Sequence, residues 1–278
     1  MNDQSRNQAY FDAIKIAVNQ GDAVLEVGTG SGILSMMAAQ CGAEIVTSCE
    51  TSIDIANVAK KIISQNQYES QINVVNKKST DLILGKDIPK KVDLLISEIL
   101  SAGFVGEGVR PIILDAKNRF LKEDGKIIPE MGEVKIALVG ESNEISDLVL
   151  TSGFDEFDLS TFNSITQSEF SLHLKEKPNY LSNSTSAFSI NLNDSKKIKK
   201  EEKIIRLKAT RSGICLGILQ WLNIQIFKNI SYENKPGEVS SHWPTPFYKF
   251  EQPIKVEVGD VLEINSFLAE DDIFFYKL

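Results

Sequence analysis

Residues 24–52 decide the fold of this chain, and they read VLEVGTGSGILSMMAAQCGAEIVTSCETS. An apolar run ends in the glycine loop GTGSG at 28–32, and a run of helix formers and a second apolar run follow it. Strand, glycine loop, helix and strand in this order are typical of a Rossmann-like unit, in which glycines let the backbone approach a ligand closely.

The same alternation continues to about residue 129. Helical apolar spacing occurs at 53–63 and 109–121, and short apolar runs separate these segments at 72–75, 92–96 and 125–128. The run at 92–96 is almost wholly apolar, as expected of a strand that is covered on both faces. The pattern predicts an α/β fold with a doubly wound, mostly parallel sheet.

Strand patterns with polar interruptions dominate after Pro129. The predicted strands lie at 134–139, 186–192, 203–209, 214–227, 254–258 and 260–266. They predict an antiparallel sandwich or barrel over 130–278, following a Rossmann-like domain over 1–129. Residues 141–170 contain no clear strand pattern and are expected to leave the second domain as an excursion. The charged stretch 194–203 is expected to be a solvated turn.

Composition narrows the class of protein. The net charge of −8 disfavours a general nucleic-acid binder, which needs basic surface, and suits a cationic partner. No apolar run is long enough to cross a bilayer, and the polar first residues lack the core of a signal peptide. Three cysteines without paired spacing indicate a reduced setting, so we expect a cytoplasmic protein, or a nuclear one in a eukaryote. With two histidines, a zinc site is not expected.

The glycine loop and two acids indicate a nucleoside-containing cofactor. The tight spacing of Gly28, Gly30 and Gly32 fits an adenosyl-amino acid better than a pyrophosphate. Glu26, just before the loop, could accept from the ligand's ammonium or orient the glycine backbone. Glu50, about 20 residues after the loop, could bind ribose hydroxyls. These residues alone leave both NAD and S-adenosylmethionine open.

Residues 24–52 closely resemble the first motifs of the protein arginine methyltransferase family. The resemblance continues in order through VVNKKSTD at 74–81, DLLISEILSAGFVGEG at 93–108, GKIIP at 125–129, GFDEFDLSTFNSI at 153–165 and SSHWPTPFY at 240–248. It implies a Rossmann-like domain joined to a β-barrel, S-adenosylmethionine as cofactor with S-adenosylhomocysteine as product, and methyl transfer to a guanidinium nitrogen of protein arginine.

The resemblance assigns Glu98 and Glu107 to the substrate. Both lie in a glycine-containing loop after the fourth strand of the first domain, where ligands bind in open α/β sheets. A guanidinium stays protonated in proteins, and its delocalised nitrogens are poor nucleophiles. Two carboxylates can bind it in bidentate fashion, localise its charge on the far nitrogens and align one nitrogen with the methyl group.

Further roles follow from the resemblance. His242 and Trp243 match the family's Thr-His-Trp loop, with serine at 241: Trp243 is expected to line the arginine tunnel, and His242 to pair with Asp3. Arg6 is expected to hold the carboxylate of the cofactor.

Thr80 and Asp81 match the segment that meets adenine. Residues 153–165, inside the excursion at 141–170, resemble a dimerisation arm, which implies a homodimer.

Two features depart from the family pattern. The chain begins two residues before Asp3, without the earlier aromatic helix that covers the cofactor, so we expect a naturally short member, a trimmed chain or an enzyme that depends on a partner. The loop ILSAGFVGEG at 99–108 is closer to the branches that form monomethylarginine or symmetric dimethylarginine.

Several alternatives remain. A DNA or RNA adenine methyltransferase should carry an Asn/Asp-Pro-Pro-aromatic run where this chain has SEIL at 97–100, and a cytosine C5 enzyme needs a Pro-Cys pair that is absent. A small guanidino or amine substrate, or a catalytically silent scaffold that binds S-adenosylmethionine, stays possible. An NAD(P) oxidoreductase ranks last, because it does not explain Glu98, Glu107 or the His-Trp loop.

Overall fold

A computed structural model describes residues 2–194, 200–238, 241–269 and 272–277, apart from the side chain of Glu107. The helices in these ranges are α1 Gln4–Ala17, α2 Ile33–Gln40, α3 Ile53–Gln65, α4 Val109–Phe120 and α5 Asn143–Val149. None of the described helices is long and apolar enough to span a membrane.

A five-stranded parallel sheet forms the first part of the structure. Its strands are β1 Ala23–Val27, β2 Ile45–Cys49, β3 Ile72–Val75, β4 Val92–Ser97 and β5 Leu121–Ile128. Their order is β3-β2-β1-β4-β5, and every neighbouring pair is parallel. The strand order reverses between β1 and β4, so their carboxyl ends open a crevice there. The predicted doubly wound sheet is confirmed.

Antiparallel strands make up the second part. They are β6 Met131–Gly140, β7 Gly153–Phe154, β8 Phe157–Asp158, β9 Glu169–Leu172, β10 Thr185–Asn191, β11 Glu201–Lys208, β12 Gly213–Phe227, β13 Ile230–Glu233, β14 Thr245–Val256, β15 Val261–Leu268 and β16 Ile273–Lys277. One sheet has the order β10-β6-β12-β14-β9 with β13 paired to β12, and another has the order β11-β15-β16. Among the described strands no backbone pairing closes these sheets into a barrel, so the barrel stays a prediction.

Three segments differ from the sequence-based expectation. Residues 141–170 contain α5, the β7–β8 hairpin and the start of β9, which are too short for a periodic pattern and gain order by packing and pairing. Strand β14 begins nine residues before the predicted 254. Pro246 and Pro253 argue against a strand in the sequence, but the segment pairs with β9 and β12 in the structure. The predicted turn at 194–203 ends in strand β11, while residues 195–199 lie outside the described ranges.

Helix α1 joins the two parts of the structure. It packs against α2 and also against β12 and β13 of the antiparallel sheet. Its Tyr10, Ala13, Ile14 and Ala17 are almost fully buried. The first turn of α1, with Asp3 and Arg6, is therefore held between the parallel strands and the antiparallel sheet.

Candidate active site

The glycine loop between β1 and α2 is built for close approach of a ligand. Gly28, Gly30 and Gly32 have φ values of +87°, +53° and +81°, a region that disfavours side chains. A Cβ on Gly28 would lie 2.5 Å from the side chain of Ile99, whereas a Cβ on Gly30 would meet nothing within 4 Å. The loop is therefore packed on one side and opens to free space on the other.

Glu26 lies at the end of β1 and is 1% exposed. Its carboxylate accepts hydrogen bonds from the hydroxyls of Ser35, in α2, and of Ser48, in β2, the latter at 2.8 Å. Burial raises the pKa of Glu26 to about 7, although both hydroxyls act to lower it. These contacts join β1 to α2 and β2, and both roles predicted for this acid stay predictions.

Glu50 follows β2 and also supports the glycine loop. One carboxylate oxygen accepts from the backbone N–H of Gly30 at 3.3 Å, and the other accepts from the N–H of Ser52 at 3.0 Å. Both contacts leave lone pairs on the carboxylate free, so the ribose role predicted for Glu50 is compatible with them.

Thr80 and Asp81 lie in a 3-10 turn, Ser79–Asp81, after β3. Arg119 of α4 donates to the carbonyl of Thr80 at 3.0 Å and fixes this turn. Both predicted side chains are exposed, and the structure does not bring them to Arg6 or Glu98. Their role toward adenine stays a prediction.

Arg6, Glu98 and His242 come together from three separate segments. Arg6 Nη1 lies 3.2 Å from Glu98 Oε2 and 3.2 Å from His242 Nε2. The Arg6 side chain is 7% exposed and that of Glu98 is 21% exposed. Glu98, predicted to bind a substrate guanidinium, thus already contacts a guanidinium of the same chain.

Asp3 caps α1 and connects it to His242. Its Oδ1 accepts from the backbone N–H of Arg6 at 2.9 Å, and its Oδ2 lies 3.8 Å from His242 Nδ1. The second distance is too long for a hydrogen bond, so the predicted Asp3–His242 pair is an electrostatic contact here. Asp3 Oδ2 also accepts a hydrogen bond from the hydroxyl of Tyr232, a residue that no sequence motif singles out.

The electrostatics keep His242 neutral and Tyr10 protonated near pH 7. Partial burial, followed by the positive charge of Arg6, lowers the pKa of His242. Burial raises the pKa of Glu98, while Arg6 opposes that shift. Burial also raises the pKa of Tyr10, whose hydroxyl donates to the carbonyl of Ser97 at 3.4 Å.

The loop that carries Glu98 and Glu107 is fixed by the antiparallel sheet. Phe104 has a φ of +70° and is fully buried. Its ring lies so close to Gly132 that a Cβ on this glycine would be 2.2 Å from a ring carbon. Gln220 of β12 donates to the carbonyl of Ala102 at 3.2 Å. The backbone of Glu107 lies in a 3-10 turn, Gly106–Gly108, but its side chain is outside the described part of the structure.

These groups surround a cavity of about 180 Å³ beneath the glycine loop. Its lining includes Arg6, Glu26, Glu98 and His242, together with Gly28 and Gly30. Larger cavities of about 820 and 710 Å³ lie along the antiparallel strands, but none of the predicted site residues whose side chains the structure describes lines them.

Trp243 is 7% exposed and does not line the cavity beneath the glycine loop. It packs on Tyr232 with ring centroids 5.9 Å apart. Its role in lining an arginine tunnel stays a prediction.

A glycine loop at the switch point of a doubly wound sheet, beside a carboxylate that contacts a guanidinium, defines a methyltransferase-like site. In agreement, the family model described as ribosomal protein L11 methyltransferase (PrmA) matches residues 8–129. A structure described as the Trypanosoma brucei PRMT1 enzyme–prozyme heterotetrameric complex with AdoHcy aligns with a TM-score of 0.80. That alignment covers 99% of this chain and 94% of the other at 19% identity, so it supports the fold.

Sequence comparison supplies the family. The chain is 31% identical over 267 residues to an arginine N(omega)-methyltransferase from Streptomyces achromogenes subsp. streptozoticus, spanning 95% of this chain and 73% of that enzyme. It is 29% identical over 245 residues to protein arginine N-methyltransferase 7 from Drosophila ananassae, spanning 81% of this chain and 36% of that protein. The chain belongs to the arginine N-methyltransferases, a family of S-adenosylmethionine-dependent enzymes.

Proposed function

We propose that this chain transfers a methyl group from S-adenosylmethionine to a guanidinium nitrogen of arginine in a protein or peptide. One observation carries the proposal: Glu98, beside the cavity under the glycine loop, lies 3.2 Å from a guanidinium nitrogen of Arg6. The geometry and charge of this site are therefore suited to binding a guanidinium.

The cofactor would be held by the residues around the glycine loop. The open space in front of Gly30 admits a ligand, Glu50 offers a carboxylate to ribose hydroxyls, and Arg6 offers a guanidinium fork to a carboxylate. When it is bound, S-adenosylmethionine supplies the electrophilic methyl group. The chain's own residues supply binding, orientation and proton transfer.

Glu98 would bind and orient the substrate. An ionised carboxylate draws the positive charge of a guanidinium toward the two nitrogens that it binds, which leaves electron density on the third nitrogen. Glu107, on the same loop, would provide the second carboxylate. Because Glu98 is largely buried, its interaction with the guanidinium is screened less than it would be at the surface.

Methylation of a protonated guanidinium releases one proton, and His242 is placed to accept it. Arg6 can only donate hydrogen bonds, so its contact with His242 Nε2 requires a lone pair on that nitrogen. The imidazole proton then resides on Nδ1, facing Asp3. His242 is thus a neutral base whose accepting nitrogen, Nε2, faces the Arg6 nitrogen that also contacts Glu98.

The test is methyl transfer from isotope-labelled S-adenosylmethionine to an Arg-Gly-rich peptide, followed by amino-acid analysis. We expect methylarginine, as the monomethyl or symmetric dimethyl form suggested by the loop at 99–108, and transfer slowed by about 10²- to 10³-fold in Glu98→Gln. Cofactor binding in calorimetry without transfer to any arginine substrate would overturn the proposal in favour of a silent scaffold.

Free arginine or another small guanidino compound is a second candidate substrate. The supporting observation is that the Streptomyces relative, which covers 95% of this chain, is named an arginine N(omega)-methyltransferase without reference to protein. A kcat/KM for free L-arginine above that for the peptide would select this candidate. The same Glu98 chemistry serves both substrates.

We also propose that two copies associate through residues 153–165. This segment exposes large apolar side chains, among them Phe154 at 78%, Phe157 at 69% and Ile165 at 73%. On α3, Ile53 and Val58 are each 53% exposed. Apolar patches at two places on one chain can cover each other twice in a symmetric dimer. We further propose that the chain divides into two domains at residue 129, that the second domain is a β-barrel, and that the protein is cytoplasmic.

A further inference from the structure

Tyr232 lies close to the catalytic group without being part of any motif. It belongs to β13, is 4% exposed, and its hydroxyl donates to Asp3 Oδ2 at 2.5 Å. Its ring packs edge-on against Trp243, so its position is fixed from two sides. The Tyr232 hydroxyl donates to Asp3 Oδ2, and the same oxygen lies beside His242 Nδ1.

Asp3 divides its carboxylate among three groups. Oδ1 is used by the backbone N–H of Arg6, and Oδ2 is shared between the Tyr232 hydroxyl and His242 Nδ1. The tyrosine contact is a hydrogen bond, whereas the histidine contact is 3.8 Å long. Tyr232 therefore interacts with Asp3 Oδ2 more strongly than His242 does.

We infer that Tyr232 is a positioning residue for His242: its hydroxyl holds Asp3 back from a direct ion pair with the imidazole, which keeps His242 neutral, with a lone pair on Nε2 that here accepts from Arg6. This inference rests on the proposed function, in which His242 accepts the proton released from arginine. Without the hydroxyl, Asp3 Oδ2 would be free to close on Nδ1 and stabilise the imidazolium, which cannot accept a proton.

The charged groups around His242 determine in which direction its pKa would move if the Tyr232 hydroxyl were removed. Among the described residues, Arg6 from α1 and Asp3 before α1 face the imidazole, and Glu98 after β4 contacts the same Arg6 nitrogen. In the structure, partial burial and then the charge of Arg6 lower the pKa of His242 and outweigh the opposing effect of Asp3. A closer Asp3 would raise that pKa, so the protonated, inactive fraction would grow at mildly acidic pH.

The experiment compares the wild type with Tyr232→Phe, which removes only the oxygen. The chain has two histidines, His173 and His242, so imidazole signals in NMR titrations are simple to assign. We expect a higher pKa for His242 in the variant. We also expect the acid limb of the kcat/KM profile to move to higher pH, with a loss of about tenfold at pH 6.5 that shrinks by pH 8.5.

Two further variants keep the test decisive. Tyr276→Phe removes an exposed hydroxyl far from this group and should change neither measurement. In an Asp3→Asn background, Tyr232→Phe should have no additional effect on the pH profile, since Tyr232 acts through the carboxylate.

An unchanged His242 titration in folded Tyr232→Phe, or an equal loss in the Asp3→Asn background, would overturn the inference. The titration needs no turnover, so failure of the proposed function would appear separately, as absence of methyl transfer by the wild type.

Discussion

Substitution of Glu98 by glutamine removes one charge from the centre of the site and keeps the side chain's shape. A substrate guanidinium at the 3.2 Å distance seen for Arg6 would interact with the carboxylate by about 5 kcal/mol at an effective dielectric constant of about 20. Glutamine still accepts one neutral hydrogen bond, worth about 1 kcal/mol. The expected net loss is about 3–4 kcal/mol, or a fall in kcat/KM of about 10²- to 10³-fold.

The assay is the initial rate of methyl transfer at saturating S-adenosylmethionine, with calorimetry of cofactor binding in parallel. Glu201→Gln, on the exposed strand β11 where Glu201 pairs with Lys203, is the matched control and should keep the wild-type rate. The reasoning is refuted if Glu98→Gln stays within about threefold of the wild type, a difference of less than about 1 kcal/mol. A loss of cofactor binding equal to the loss of rate would also contradict a substrate role.

Three further predictions follow from buried contacts and exposed surface. Glu26 has a folded-state pKa of about 7 against 4.5 ordinarily, so the stability that it contributes is present below pH 4.5 and lost as pH rises to 7. Glutamine has no charge to bury, so the free energy of unfolding of Glu26→Gln should rise relative to that of the wild type by up to about 3 kcal/mol between pH 5 and pH 8, as measured by urea unfolding. If the two proteins differ by the same amount at both pH values, the assigned burial is contradicted. Gly132→Ala places a methyl group against the Phe104 ring and should cost about 1–3 kcal/mol in thermal unfolding while lowering kcat/KM, and an unchanged rate would show that this contact does not position the glutamate loop. Phe157→Ser should shift the protein from dimer to monomer in light scattering, and a wild type that is already monomeric would contradict the proposed arm.

The sequence by itself determined the parallel part of the fold and the place of Glu98. A strand buried on both faces must be apolar, and a loop that approaches a ligand must be rich in glycine, so residues 24–52 carry the pattern locally. The run of helix formers after the glycine loop forms α2, and Glu98 follows β4 at the edge of the sheet where ligands bind. The family membership was likewise visible in short motifs.

Only the tertiary structure decided how the catalytic group is held. Tyr232 and Asp3 are 229 positions apart, and Phe104 meets Gly132 across the junction of the two parts of the structure. No local pattern marks such pairs, because a buried hydroxyl or a missing Cβ has meaning only beside the group that it contacts. The first nine residues of strand β14 were missed for the same reason: their order comes from pairing with β9 and β12, and their own composition does not indicate it.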